Sequence, residues 1–271
     1  MTVRLAPLLL LLTALFASAA PSEAATIVFL IGEREYDTRE TLPAFAADAL
    51  EPFGHRCVFV HALHSQPNRF PGASLIDEAD LLVVSVRRRS MPKDDLARVR
   101  RHLESGKPLV AIRTACHAFD PKGEVPDGDD VWRDFDTDVL GARYDNHLKN
   151  EQGTTVDPVQ ANAAHPVLQG VEPQPFHSGG TLYRMYDLIP EAELLANGSA
   201  EADGERQTYP VAWVRDRAGS RIFATTLGHE SDFAQPSFRR MLANAIAWGL
   251  ERSTGPVAGG DSSRSDRLAS N

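Results

Sequence analysis

The chain has 271 residues, 42% hydrophobic and 24% charged, which is ordinary for a globular protein large enough to build its core without disulfides. Its formal net charge of -9 argues against nucleic acid as a partner, because phosphate binding needs a basic face. The one basic run, Arg87-Arg88-Arg89, is too short to reverse that field, but it can hold an anionic group locally.

The first residues read as a leader rather than as part of the fold. Arg4 supplies a positive charge, and Leu8 to Phe16 supply an apolar core too short to span a bilayer comfortably. Ala17-Ser18-Ala19 and Ser22-Glu23-Ala24 both fit a small-residue cleavage rule. The expectation is a signal peptide over 1–24, a mature chain starting near Ala20 or Ala25, and an exported protein, periplasmic or secreted, with no membrane segment after cleavage. Export makes the two cysteines a redox question. Cys57 opens one predicted strand and Cys116 lies beyond the end of another, so in a parallel sheet they sit at opposite edges and remain free thiols.

Thr26 to Ile31 is an apolar run and reads as the first, central strand of an α/β domain. Thr38 to Leu50 follows with helical spacing (Leu42, Phe45, Ala46, Ala49, Leu50) and a Pro tolerated in its first turn. Arg56 to Val60 and Leu81 to Val86 are further strands, and Asp94 to Leu103 is a helix closed by Gly106. The run Pro108 to Ile112 is a buried strand that stops abruptly in Arg113-Thr114-Ala115-Cys116-His117. A strand ending with a nucleophile-type residue at its tip has the pattern of a nucleophile elbow. This alternation predicts a doubly wound, mostly parallel sheet flanked by helices, with ligands bound beyond the carboxyl ends of the strands.

The section from Val125 to Ala163 is acidic and Gly-rich, and it reads as a long insertion over that carboxyl edge. Beyond it come short strands at Tyr183 and at Glu193 to Leu195, then a hairpin-like pair, Pro210 to Val214 and Ser220 to Thr226, ending in Gly228-His229-Glu230. Ser237 to Leu250 is a terminal helix, and the Gly, Ser, Asp and Arg from 253 to 271 read as a disordered tail.

Several residues together carry a resemblance. They are Gly32-Glu33, the stretch Ile112 to Phe119, His165-Pro166, Phe176-His177-Ser178-Gly179-Gly180 and Thr225 to His229. The most specific part is Gly228-His229 followed by Asp232-Phe233 and the helix Phe238 to Trp248. The chain resembles the ThuA-like family, named for trehalose utilisation, over about Thr26 to Arg252. The resemblance implies a class I glutamine-amidotransferase-like fold and a link to carbohydrate metabolism. Amidotransferase relatives pair an elbow Cys with a His and a Glu two residues apart. Cys116 and His229 match the first two roles, whereas the third position holds Ser231.

The candidate catalytic residues are therefore His117, His229, Cys116 and Glu33, which the topology should bring together above the sheet. Arg113, Tyr144, His147, His177 and Asp232 are the candidates for binding substrate. Arg113, costly in an apolar strand unless paired, is expected to meet Glu33 or Asp120, and Trp132, Phe135 and Tyr144 offer flat faces for a sugar ring. Imidazoles with a carboxylate can hold a divalent metal such as zinc or exchange protons with a sugar directly. His55, His61, His64 and His102 lie on segments of surface type. The leading expectation is an exported binder of, and possible catalyst on, a sugar or oxidised sugar. A Cys-dependent hydrolase and a non-catalytic binding module stand as alternatives.

Overall fold

The structure, a computed structural model, describes residues 24–251. The predicted tail, and the predicted leader apart from its last residue, lie outside the described residues. The strands in chain order are β1 Thr26–Gly32, β2 Arg56–His61, β3 Leu81–Val86, β4 Met91–Pro92, β5 Leu109–Ile112, β6 Asp129–Asp130 and β7 Arg143–His147. They continue as β8 Thr154–Pro158, β9 Phe176–Ser178, β10 Tyr183–Tyr186, β11 Glu193–Ala202, β12 Glu205–Arg217 and β13 Ser220–Thr225. The α-helices are α1 Thr38–Ala49, α2 Lys93–Glu104 and α3 Pro236–Leu250.

Nine strands form one sheet in the order β2-β1-β3-β5-β13-β12-β11-β8-β9. From β2 to β13 every pairing is parallel; from β13 to β9 every pairing is antiparallel. The parallel half has the flavodoxin-like order, with its topological switch point between β1 and β3. β1 is thus one strand in from an edge and not central, a correction to the expectation. The middle of the sheet is β13, delivered last by the chain.

Side-chain alternation explains how the sheet is clad. Ile27, Phe29 and Ile31 of β1 face the layer of α1 and α3, with Leu42, Phe45, Met241, Leu242 and Ile246. Val28 and Leu30 face the opposite layer, with Leu96, Val99 and Leu103 of α2. Burying each such side chain stabilises the fold by about 1.5–3 kcal/mol. α3 packs close because Gly249 faces the β3 and β5 strand starts; a Cβ there would come within 3.0 Å of Leu81 and 3.2 Å of Pro108.

The section read as an insertion is more regular than expected. β7 pairs with β10 in a separate two-stranded sheet, β6 pairs with β4, and β8 joins the main sheet beside β11. Both cysteines are free. His102 departs from its expected surface position. It is 4% exposed under α2, with Nε2 donating to the Pro108 carbonyl at 2.9 Å.

Candidate functional site

β1, β3, β5 and β13 all end at one edge, and the chain beyond each tip builds the site. After β1, Glu33 is buried, and its carboxylate accepts the N–H groups of Glu35 (2.7 Å), Tyr36 (2.9 Å) and Thr38 (2.9 Å) and the Thr38 hydroxyl. The expectation that Glu33 faces a catalytic cluster is corrected: both oxygens are committed to the loop that enters α1. Their effect is to fix the position of Tyr36.

After β5 the chain turns into a 3-10 segment, Arg113–His117. The residue held in the left-handed region at this turn is Arg113, with φ 46°, not Cys116. A bulky residue there is strained, and such strain collects at functional sites. The elbow position therefore carries a cation, which corrects the nucleophile-elbow reading. Neither expected carboxylate meets it, since Asp120 pairs with Arg88 (3.2 Å) and Arg133 (2.6 Å). Arg113 is 2% exposed, with its guanidinium 4.1 Å from the Tyr36 ring and 4.7 Å from the Tyr183 ring. Nη1 donates to the Thr226 carbonyl at 2.9 Å, whereas Nε and Nη2 have no partner among the described residues. Gly180 makes room for it: a Cβ there would lie 2.6 Å from Nη1.

Cys116 and His117 follow. The Cys116 thiol donates to the Arg113 carbonyl at 3.3 Å and lies 3.3 Å from His117 Nδ1. With the thiol proton so placed, the network assigns the His117 proton to Nδ1 and leaves Nε2 as an acceptor. Burial pushes the Cys116 thiol well above its ordinary range, and nearby Asp136 adds to this. Burial, with the positive charges of Arg88, Arg87, Lys122 and Arg113, holds His117 down to about 2. Both effects oppose a thiolate–imidazolium pair, and His229 bonds to Ser231 rather than to Cys116. This arrangement does not suit a cysteine hydrolase, which needs a low-pKa thiol.

After β13, Gly228 takes φ 119° with its Cα against Ile112, where a Cβ would lie 2.5 Å from Cγ2. Its N–H and that of His229 both donate to Asp232 Oδ2, at 2.8 and 3.0 Å. The Ser231 amide donates to His229 Nδ1 at 3.2 Å, so the neutral imidazole carries its proton on Nε2. Asp232 is buried, and its other oxygen, Oδ1, has no partner among the described residues.

Ring contacts join these pieces. His117 lies 4.5 Å from Tyr144 and 6.1 Å from Tyr183, and His147 lies 6.1 Å from Tyr183. Tyr36 lies 5.9 Å from His229 and its hydroxyl 3.4 Å from that of Tyr183. The expected residues His117, His229, Arg113, Tyr144, His147 and Asp232 therefore border one region. His177 is not among these ring contacts; it is exposed on β9 and packs on Gly153. Trp132 and Phe135 pack against each other, and Phe135 against Phe119, so they serve the core.

Sequence reasoning missed Tyr36 and Tyr183. Tyr36 was within reach, since it stands on the first loop beyond a strand tip. A zinc-like centre is not supported by the donor set: among the described residues no three His, Cys, Asp or Glu side chains are grouped to share a metal.

The comparisons with known proteins agree with this architecture. A ThuA-like protein from Parabacteroides merdae superposes with a TM-score of 0.58 at 14% identity, over 88% of this chain and 93% of that one. The cytoplasmic protein STM1381 from Salmonella typhimurium LT2 gives 0.52 at 15%, over 84% and 98%. Agd3, a carbohydrate deacetylase, gives 0.51 at 10%, over 84% of this chain and 32% of that one. At such identities these likenesses bear on the fold alone. No curated protein matches the chain. The family profile for ThuA, trehalose utilisation, matches residues 28–249, from the first parallel strand into the terminal helix, and the chain belongs to that family.

Proposed function

We propose that this protein is exported and uses the carboxyl edge of its sheet to bind a hydroxyl-rich small molecule of the sugar class. The observation that carries this reading is the run of rings from Tyr144 through His117 and Tyr183 to Tyr36 and His229, with the Arg113 guanidinium between two of them. Aromatic faces suit the apolar face of a sugar ring, and the hydroxyl and imidazole groups around them suit its hydroxyls. In this reading His117 Nε2 accepts from a ligand hydroxyl and His229 Nε2–H donates to one. His229 is the member of the set placed to exchange a proton with bound ligand. Tyr144 and His147 line the opening, and Asp232 holds the His229 turn.

Titration calorimetry of the wild type and of Tyr144→Leu, whose ring is partly exposed, against glucose, trehalose, glucuronate and glucose 6-phosphate tests the reading. Binding of at least one of these sugars, weakened roughly tenfold by loss of one stacking ring, about 1.4 kcal/mol, is the expected result. Equal binding by the variant, or none by the wild type, overturns it.

A further inference from the structure

The strands β3 and β5 are neighbours in the sheet, and each is followed by an arginine in the left-handed conformation: Arg88 with φ 50° and Arg113 with φ 46°. The left-handed region costs a non-glycine residue roughly 1–2 kcal/mol, so two adjacent instances need a compensating role. The two strand ends are laced together, since the Arg88 N–H donates to the His117 carbonyl at 3.0 Å and the Arg89 N–H to the Ala118 carbonyl at 2.7 Å. The charges of both arginines bear on His117.

The charge around it is only partly matched. Arg88 shares Asp120 with Arg133, and Arg87 pairs with Glu35 at 2.9 Å. Arg34 donates to the Leu63 and His64 carbonyls and Arg89 to that of Gly32, so both spend their hydrogen bonds on neutral groups. Arg113 has no acidic side chain within ion-pairing distance among the described residues; the buried Asp232 carboxylate bears on it from farther off, and two of its nitrogens have no hydrogen-bond partner though the side chain is almost wholly buried. A buried charge is costly unless it is paired. These groups stand beyond the carboxyl ends of β1, β3 and β5, alongside the β1/β3 switch point, in a chain whose formal net charge is -9. Burial is the main cause of the low proton affinity of His117, and the charges that add to it, Arg88, Arg87, Lys122 and Arg113, are all positive.

We infer that the ligand of this sheet edge carries an oxyanion, carboxylate or phosphate, drawn to the switch point by Arg88 and Arg87, with Arg113 adding to the positive charge around His117. The inference rests on the sugar-class reading above and narrows it from neutral sugars to sugar acids or sugar phosphates. Binding at this edge becomes sensitive to salt, because attraction between exposed charges is screened over about 10 Å at 0.1 M ionic strength.

The test uses the full chain and three probes that share one ring: glucose, glucuronate and glucose 6-phosphate. Calorimetry at low ionic strength should give one of the two anions an affinity at least tenfold above that of glucose, with the advantage shrinking as salt is added. Arg88→Gly removes the cation and accepts the left-handed backbone without strain. It should bring the anion-to-glucose affinity ratio close to one, and Arg88→Lys should restore part of it. The two anionic probes separate carboxylate from phosphate as the preferred group. If glucose binds as well as both anions, or if Arg88→Gly leaves the ratio unchanged while still melting cooperatively, the inference fails and the sugar reading stands. If no probe binds at all, the sugar reading fails and takes the inference with it.

Discussion

Arg113 shows how a single residue sets the chemistry of the strand tip. A cation at the turn, clamped between Tyr36 and Tyr183, removes the electrophile-facing position a nucleophile would need. It leaves Cys116 three residues farther on and buried. Cys116→Ala should therefore retain more ligand binding or activity than His117→Ala. Iodoacetamide at neutral pH should leave Cys116 unlabelled in the folded protein; rapid labelling blocked by ligand, with loss of function in the Ala variant, would contradict this. At His229 the useful substitution is Asn, because Asn can still accept the Ser231 amide as a helix cap and so keeps the turn. His229→Asn should melt within about 1 kcal/mol of the wild type while binding falls sharply. A lowered melting temperature with unchanged binding would reduce His229 to a turn residue.

Among the α-helices, α2 carries a pH dependence of its own. His102 is buried, and this burial lowers its proton affinity from 6.5 to about 4, despite its bond to the Pro108 carbonyl. The unfolded chain takes up this proton below pH 6.5 and the folded chain only near 4. The stability associated with neutral His102 is therefore complete above pH 6.5 and drains away as pH falls toward 4, by on the order of 3 kcal/mol. Melting temperatures from pH 7 to pH 4.5 should fall less steeply in His102→Gln than in the wild type, and parallel slopes would contradict the assignment. His102 also shows why its burial was not legible: it shares the buried stripe of α2 with Leu96, Val99 and Leu103, but as an ionisable residue beside Arg100, Arg101 and Glu104 it reads as part of the solvated face. At the β13 tip, Gly228→Ala must both abandon φ 119° and displace Ile112. It should cost about 1–3 kcal/mol, read from denaturant unfolding.

On the scale of the molecule, legibility divides with the sheet. The parallel half announces itself, since strands covered on both faces are continuous apolar runs such as Leu81 to Val86. The antiparallel half does not. β8 and β9 carry mixed polar residues, and β11 and β12 extend as a long hairpin whose outer residues are exposed. The pairing of β7 with β10 joins segments far apart in sequence, which no local pattern encodes. The site follows the same division: His117, His229 and Arg113 stand beside legible strand tips, whereas Tyr183 sits on β10. The start of the chain gives the last test. Ala25 is 9% exposed and its N–H donates to His55 Nδ1 at 3.3 Å; the Thr26 N–H donates to Asp80 Oδ2 at 2.7 Å. Removing residues before Ala25 takes none of these contacts away, whereas removing Ala25 and Thr26 leaves Asp80 and His55 without them and shortens β1. A chain beginning at Ile27 should therefore be less stable than one beginning at Ala25 by about 1–3 kcal/mol, read from thermal melting. N-terminal sequencing of protein recovered from the periplasm or medium of an exporting host should place the mature start at or before Ala25. A start inside β1, or retention of the whole leader in the cytoplasm, would contradict the export proposal.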